Sequence, residues 1–372
     1  MSNNLVYHRA EPQQKKNSYG EFDTLDFNID VGEGRVLVKN SVRFVAELGI
    51  LDNGTRTTAN IYFDERAGSH AFIDNCQVQF DGMQKESINN YARQVVMAYC
   101  ATQQPEDAFN ASNVCELRGN TTETSILFSK GRISRNTGAK LPSATGGDVS
   151  FSMKPMCCLN KMSGGDLPRS KSGVVKLSLN LAPNRSALMG SALNNAQDSY
   201  TISSPRVLYQ SLPDDGKQPQ TIMRVLQNTK NSIQSNLANV QVRVPMLADA
   251  VSISLQRADH EQSAPHSNYN LEKPRNINRV EYQFNNATNE YISYPITDIR
   301  EMQQRFLDSY MDTGHNSVSG DRFNSDRNFG LGLSFNGLVD LTSSNFGIQI
   351  SSSANNQHPY NLYAYFHGIV AV

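Results

Sequence analysis

The feature that most constrains this chain is a long series of short apolar runs with period-two alternation, separated by clusters of Gly, Asn, Asp and Pro. Successive side chains of a β-strand point to opposite faces, so such runs indicate half-buried strands. Residues 174–181 (VVKLSLNL) and residues 250–255 (AVSISL) are clear examples, one in each half of the chain. Evenly spaced short strands of this kind predict a sandwich or barrel in each half.

Turn residues divide the pattern into separate strands and leave room for a few helices. Asp81-Gly82 and residues 52–54 (DNG) are typical turn sequences. Apolar residues at helical spacing predict one helix over residues 87–103, with Ser87 as N-cap, and another over residues 298–310 behind Asp298. Residues 221–237 fit a helix or a strand. The predicted strands are residues 35–50, 57–63, 71–80, 124–129, 148–154, 174–181, 200–211, 239–244, 250–255, 279–284, 329–335, 345–351 and 362–370.

A chain of 372 residues exceeds the usual domain size of ~100 to 200 residues, which favours two folding units. The alternation stops near residues 182–199, where small polar residues take over. We therefore predict a polar N-terminal arm over residues 1–20, a first unit over 21–182, a linker over 183–199 and a second unit over 200–372.

The charge balance argues against polyanionic partners. Lys and Arg number 34 against 35 for Asp and Glu, a formal net charge of −1, so no strong field attracts nucleic acid or an anionic membrane surface. No window approaches the ~18 apolar residues of a membrane-spanning helix, and the N-terminus lacks a signal-peptide apolar region. We expect a soluble chain made in the cytosol, without specific nucleic-acid binding, whose five cysteines are reduced.

Enzyme motifs are few. Asp312-Thr313-Gly314 matches the short signature of aspartic proteases, but no apolar strand leads into it, and a loop that ends a helix is the better interpretation. Asp312 is thus the single candidate for a hydrolase hypothesis. Gly330, Gly332 and Gly337 resemble a dinucleotide-binding loop, yet they alternate with apolar residues as in a strand, and no helix follows.

Cys157 and Cys158 are adjacent, so on a strand their side chains would point to opposite faces and would not easily ligate one ion together. A zinc site, with Asp166 as a further ligand, and a vicinal disulfide stay open as alternatives. Burial of at least one thiol as a small hydrophobe is the favoured prediction. The seven histidines show no helical metal-binding spacing. We predict no catalytic, cofactor-binding or metal-binding residues and no cofactor.

The order of these features resembles the double jelly-roll major capsid proteins of tailless icosahedral DNA viruses, of the adenovirus–tectivirus lineage, and most of all the virophage and Polinton-like group. The resemblance covers roughly residues 35–372 and is carried by eight segments: AGSHAFIDNCQVQF, SINNYARQVVMAYC, SFSMKPMCCLN, GVVKLSLNLAPNRSAL, DSYTISSPRVLYQSLP, INRVEYQFNNATNEYISYPITDIREMQQRFLDSY, NFGLGLSFNGLVDLTSSNFGIQISSS and the final NLYAYFHGIVAV. DSYTISSPRVLYQSLP (residues 198–213) is similar to the first strand of the second roll.

The resemblance implies an all-β fold of two consecutive eight-stranded jelly rolls with short helical inserts. It also implies a non-enzymatic major capsid protein that forms homotrimers, each a pseudo-hexameric capsomer of an icosahedral shell. The expected partners are copies of itself, neighbouring capsomers, and penton and minor capsid proteins, together with an internal membrane or cement proteins. The expected location is the virion, after synthesis in the host cytoplasm.

Other interpretations stay open at this point. A minor capsid, penton or receptor- or carbohydrate-binding jelly-roll protein is the main alternative, and one roll beside an unrelated second domain would favour it. The N-terminal arm would tie neighbouring subunits together beneath the capsomer or face an inner membrane, or else be disordered.

Overall fold

The computed structural model describes residues 4–52, 55–56, 62–64, 66–102, 115–118, 148–189, 198–234, 237–263, 266–285, 287–288, 294–310, 323, 328–352 and 358–372. β-Strands dominate this part of the chain, as the alternating pattern predicts. The strands are β1 (Val6–Ala10), β2 (Ser18–Tyr19), β3 (Thr24–Ile29), β4 (Arg35–Leu37), β5 (Arg43–Asp52), β6 (Thr55–Arg56), β7 (Tyr62–Phe63), β8 (Ile73–Phe80), β9 (Met83–Asn89), β10 (Val149–Met153), β11 (Met162–Gly164), β12 (Leu167–Pro168), β13 (Val175–Leu181), β14 (Leu188–Met189), β15 (Ser199–Pro213), β16 (Thr221–Ile233), β17 (Leu237–Val242), β18 (Leu247–Arg257), β19 (Ile277–Phe284), β20 (Ala287–Thr288), β21 (Leu331–Asp340), β22 (Phe346–Ser352) and β23 (Tyr360–Ala371).

Helices in the described residues are short inserts between strands. They are α1 (Tyr91–Thr102), α2 (Arg169–Ser172), α3 (Asn184–Ala187), α4 (Ile299–Asp308) and the 3-10 turns Gly68–Phe72, Cys158–Asn160 and Ala258–His260. Among the residues searched, no helix has the length and apolar character required to cross a membrane.

Both predicted helices form, with one change of start. α4 begins behind Asp298, whose carboxylate accepts a 2.6 Å bond from the backbone N–H of Arg300, so the acidic cap is confirmed. The N-cap predicted at Ser87 is wrong, because Ser87 belongs to β9 and the chain turns at Asn90 (φ 51°) before α1. The Asp81-Gly82 turn is confirmed: both residues have positive φ and join β8 to β9.

The second half of the chain is an eight-stranded jelly roll. Its strands form two sheets, one in the order β21-β18-β23-β16 and the other in the order β17-β22-β19-β20, and consecutive strands change sheet except at the β19–β20 hairpin. The ambiguous stretch 221–237 resolves into strand β16, which pairs along its length with β23. Aromatic side chains fill the space between the sheets: the rings of Phe346 and Phe366 lie 5.5 Å apart, as do those of Phe284 and Phe335.

The first half is a second sandwich. One sheet holds β9-β8-β13-β3, and the other has the order β10-β5-β15-β4-β12. Phe44 on β5 links the two layers, with its ring 5.9 Å from that of Phe27 on β3. The predicted strand over residues 35–50 is divided into β4 and β5 by a turn at Asn40 (φ 58°). The strand predicted over 124–129 and residues 57–61 lie outside the described residues.

Strand β15 occupies a different place from the one predicted for it. The sequence interpretation assigns residue 200 onwards to the second roll, whereas β15 pairs with β5 and β4 of the first half. Its Tyr200 also enters the first core, where its ring lies 4.8 Å from that of Phe72 and its hydroxyl donates to the Ala182 carbonyl. Alternation alone identifies this strand but not its partner, because partner choice depends on contacts between residues far apart in sequence.

The N-terminal arm, over its described residues, is ordered against its own chain. β1 pairs with Val207–Ser211 of β15, and β2 pairs with the same strand further along. His8 stacks on Tyr209 with ring centroids 5.0 Å apart, and its Nε2 lies 2.7 Å from the Ser211 hydroxyl. The disorder alternative is therefore wrong for residues 4–20.

One sheet runs through both halves. β9 of the first half lies parallel to β16 of the second, with Ser87 opposite Gln227. The combined sheet has the order β21-β18-β23-β16-β9-β8-β13-β3, with β11 added beside β16. The two sandwiches are therefore joined by backbone pairing as well as by side chains.

Candidate functional site: the joint between the two sandwiches

The joint is the buried contact between the outer face of the β21-β18-β23-β16 sheet and the segments of the first half that cover it. Strand β18 shows how the sequence encodes it. Val251, Ile253 and Leu255 alternate with Ser252, Ser254 and Gln256, and all six are fully buried. The apolar set faces the core of the second sandwich. The polar set faces the joint. In a sandwich that stood alone, the same face of the strand would be exposed to water.

Arg93 of α1 is the central residue of the joint. Its guanidinium is almost completely buried and donates to the backbone carbonyl of Asn270 at 2.8 Å. It also donates to the Gln256 side chain and to the Asn268 carbonyl. The same group lies over the ring of Tyr363 on β23, 4.2 Å from its centroid, in cation–π geometry. Helix α1 of the first half is thus fastened to two strands and a loop of the second.

A second buried arginine connects the halves nearby. Arg66 forms a 2.7 Å ion pair with Asp64, and both side chains are almost fully buried. Arg66 also donates to the Asn270 side chain at 3.1 Å, while the Ser267 hydroxyl donates to the Asp64 carboxylate. A buried ion pair needs such additional partners to offset the loss of hydration. Here the second half supplies them.

Tyrosine hydroxyls extend the joint on either side of Arg93. Tyr269 donates to the Ala71 carbonyl at 2.6 Å, and Tyr365 donates to the Asn90 carbonyl at 3.0 Å. Burial raises the pKa of both hydroxyls above the ordinary value of tyrosine. Both therefore stay protonated and act as donors at all physiological pH values.

Glu86 lies where β9 meets β16. One carboxylate oxygen accepts a 2.6 Å bond from the Cys158 N–H and the other a 2.8 Å bond from the Leu226 N–H. Burial raises the pKa of Glu86 to about 7, although the nearby Lys161 and these two bonds favour the charged form. The side chain thereby satisfies backbone groups of both halves that would otherwise be buried without partners.

Behind α1, a buried polar cluster in the first half holds the helix in place. The hydroxyl of Tyr91 lies 2.9 Å from Nδ1 of His70 and accepts a bond from the Met156 N–H. Glu116 accepts bonds from Tyr99 and from the Lys154 N–H. Burial alone would raise the pKa of Glu116, but hydrogen bonding and charge from His70, with smaller help from Lys154 and Arg118, lower it to about 2.

The Ser252–His367 contact in the joint looks like a nucleophile and base. The Ser252 hydroxyl lies 2.8 Å from Nε2 of His367. Both residues are buried, and burial lowers the pKa of His367 to about 3. The ring of Tyr310 also packs edge-on against the imidazole, 5.1 Å away. Because both side chains are buried within the described part of the chain, the geometry favours a structural role.

The cysteines singled out in the sequence are core residues beside this joint. Cys157 and Cys158 are fully buried free thiols, as the favoured prediction requires, and Cys158 begins a 3-10 turn instead of continuing a strand. Burial raises the pKa of the Cys158 thiol well above its ordinary value, so it stays protonated and unreactive. No group of His, Cys, Asp or Glu that could hold a metal ion occurs among the residues searched.

Two of the three glycines that resembled a dinucleotide-binding loop, Gly330 and Gly332, serve close packing. Gly330 precedes β21 and Gly332 lies within it, and a Cβ atom on either would approach α4 or the residue after it too closely. A Cβ on Gly332 would lie 2.6 Å from the Ser309 hydroxyl oxygen. The strand interpretation is confirmed for Gly332 and Gly337, which lie in β21. Asp312 lies outside the described residues, so the structure neither supports nor opposes the hydrolase hypothesis.

Sequence reasoning missed the joint residues Arg66, Arg93 and Glu86. One signal was present: Arg93 is the single charged residue in the apolar helix YARQVVMAYCAT. A lone arginine in such a helix indicates a buried partner, but the sequence does not say which segment supplies it.

The whole chain is similar in fold to solved viral capsid proteins. A structure of the Sputnik virophage is similar over 99% of this chain and 86% of that chain, with a TM-score of 0.61 and 8% identity. The Faustovirus major capsid protein is similar over 100% of this chain and 90% of that one (TM-score 0.56, 9% identity), and the major capsid protein of Sulfolobus Turreted Icosahedral Virus over 98% and 97% (TM-score 0.52, 10% identity). No family model and no curated protein sequence matches the chain. The fold is therefore the double jelly roll, as expected, reached by a sequence that shares few residues with these structures.

Proposed function

We propose that this chain is the major capsid protein of an icosahedral virus, a structural and non-enzymatic subunit that trimerises into pseudo-hexameric capsomers. The observation that carries the proposal is the joint: two jelly rolls held in one fixed orientation by a shared sheet and buried polar bonds. The similarity in fold to viral major capsid proteins over the whole chain supports it.

A rigid joint is what such a role requires. A trimer of two-roll subunits presents six similar rolls around its axis, and it can tile a shell only if the two rolls of each subunit keep one relative orientation. Free rotation of the two rolls about a flexible linker would give trimers of many different shapes. Backbone pairing between β9 and β16 and the bonds of Arg93 oppose such rotation. A cyclic trimer also closes on itself, because each subunit offers one surface to the complementary surface of the next.

The division of the chain follows from the sheet pairing. We propose that the first roll extends to Pro213 and that the second begins at Thr221, since β15 pairs with the first half and β16 with the second. The segment between them replaces the linker predicted over residues 183–199. The predicted linker instead contains α3 and β14, and the latter pairs with β7 of the first half.

Further partners belong to the same proposal. Neighbouring capsomers, penton and minor capsid proteins, and an internal membrane or cement proteins are the contacts that a shell subunit would make. The virion is its proposed location, after synthesis in the host cytoplasm. The net charge of −1 is compatible with dense packing of identical subunits, because it causes little mutual repulsion. The alternative of one roll beside an unrelated domain finds no support, since both halves are sandwiches.

Light scattering after size-exclusion chromatography tests the proposal. With a chain mass of 41.3 kDa, the trimer has a mass of about 124 kDa. Obligate interfaces usually bury ~2,000 Å² or more, so the trimer should persist on dilution to micromolar concentration. A monodisperse species with the mass of one chain at all concentrations would overturn the proposed function.

A further inference from the structure

The outer face of the β21-β18-β23-β16 sheet, which forms the joint, is only partly covered by the chain itself. Helices α1 and α4 pack over one end of this face, through Arg93 on Tyr363 and Phe306 against Gly330 and Gly332. The other end carries exposed aliphatic side chains. We name as the aliphatic row the exposed Ile222, Leu247 and Leu338, together with the half-buried Ile369 between them.

Strand register places Leu247 beside Ile369, with Leu338 and Ile222 on the flanking strands, each two residues from the charged residue directly opposite, Asp340 or Arg224. Leu247 on β18 is opposite Asp340 on β21, and Leu338 lies two residues before Asp340. On the other side, Ala248 is opposite Gly368 of β23, which brings Leu247 beside Ile369. On β16, Ile222 is opposite Ala371, two residues beyond Ile369. The row therefore crosses all four strands of the sheet.

Alternation along the strands shows that the row lies on the joint face. Ile369 is two residues from His367, which faces the joint, and Ile222 is four residues from Leu226 of the same face. The intervening residues Met223 and Val339 point the other way, into the core of the second sandwich. Exposure is 37% for Ile222, 49% for Leu247 and 54% for Leu338, high values for large apolar side chains on one sheet face.

A bulge in β21 holds Leu338 outwards. Ser334 is opposite Ala250 and Val339 is opposite Ala248. Residues 335–338 are therefore the bulge, since β21 has more residues than β18 between these two pairs. Phe335 anchors the start of this bulge, fully buried against Phe284 and Phe346. Asn336 follows with φ 53°. Leu338 is thus presented by a fixed backbone at the edge of the sheet.

We propose that the aliphatic row binds a second copy of this chain, the neighbouring subunit of the trimer. This inference rests on the proposed function. The row continues a face that already packs against a jelly roll, the first roll of its own chain, and the neighbouring subunit offers the same kind of partner. Apolar side chains on a rigid sheet are typical of the centre of an obligate interface between subunits.

The test compares two variants of the full chain with the wild type. The double variant Leu247→Asp/Leu338→Asp places charges in the row. The control, Leu237→Asp, changes an equally exposed leucine (57%) on β17, in the opposite sheet. Each is measured by size-exclusion chromatography with light scattering over a range of concentrations, and by circular dichroism and thermal melting. We expect the double variant to be a folded monomer and the control to keep the mass of three chains.

A milder variant keeps the test decisive if the double aspartate variant does not fold. Leu247→Ser/Leu338→Ser should raise the concentration at which half of the trimer dissociates by at least about tenfold. A wild-type trimer whose aspartate and serine variants dissociate no more readily than Leu237→Asp would overturn this inference and leave the proposed function intact. A monomeric wild type would overturn both.

Discussion

Replacement of Arg93 by Ala tests how much the joint contributes to stability. Arg93 is buried, and its guanidinium supplies donors to the Asn268 and Asn270 carbonyls and to the Gln256 side chain. Alanine would remove the Arg93 donors from these acceptors and the cation from the ring of Tyr363. It would also leave a cavity at the interface between α1 and the sheet, because alanine fills only a small part of the space.

The magnitude follows from the number of buried partners. Each bond to a buried charged donor is worth ~1.5 to 3 kcal/mol, and the cation–π contact adds up to ~2 kcal/mol when desolvated. Such terms do not add fully, because the partners relax together. Removal of one member of a buried charged network typically costs ~3 to 5 kcal/mol, and we expect a loss of this size in the free energy of unfolding.

Urea denaturation followed by circular dichroism measures this loss, and calorimetry shows whether the two sandwiches still unfold together. Arg9→Ala is the matched control, because Arg9 is exposed and pairs with the exposed Glu11, at 2.9 Å. The control should change the free energy of unfolding by less than ~0.5 kcal/mol. If Arg93→Ala costs less than ~1 kcal/mol and leaves a single transition, the joint does not hold the two rolls as described.

Three further predictions concern packing, pH and thiols. Gly332→Ala should lower the free energy of unfolding by ~1 to 3 kcal/mol, because the new Cβ meets the residue after α4. Gly337→Ala should lower it by less, because nothing lies within 4 Å of the new Cβ. Equal losses of stability in urea denaturation would refute the packing argument. The pKa of Glu86 is raised from 4.5 to about 7. The stability that this shift contributes is therefore full below pH 4.5 and is lost as the pH rises to 7, by up to ~3 kcal/mol. Glu86→Gln should abolish this loss in thermal melts recorded across pH, and an unchanged pH profile would contradict the prediction. Cys115 is exposed and the other cysteines are buried, so a thiol reagent should rapidly modify about one thiol per folded chain, and rapid modification of several would show that the buried cysteines are accessible.

The sequence predicts the strands well because each strand is a local pattern. The alternation in residues 174–181 and 250–255 identifies β13 and β18. Asp298 identifies the start of α4, since a cap needs only the next few residues. The same local reasoning places Gly332 on a strand.

Partner choice could not be predicted in the same way. The polar residues of β18, such as Ser254, suggest a face exposed to water, and only the position of α1 in space shows that they are buried. β15 is an alternating strand whose sequence is equally compatible with either half. The joint depends on contacts such as Arg93 with Asn270, which are 177 residues apart in the chain. A single sequence gives no means of pairing such residues.

Electron-microscopy class averages of the purified chain test the central claim most directly, namely that a rigid pair of jelly rolls builds a trimer with six similar lobes. Seen along its threefold axis, the particle should show a pseudo-hexagonal outline with six lobes of nearly equal size at constant spacing. Averages that show single chains, or pairs of lobes at variable angles to each other, would contradict the account.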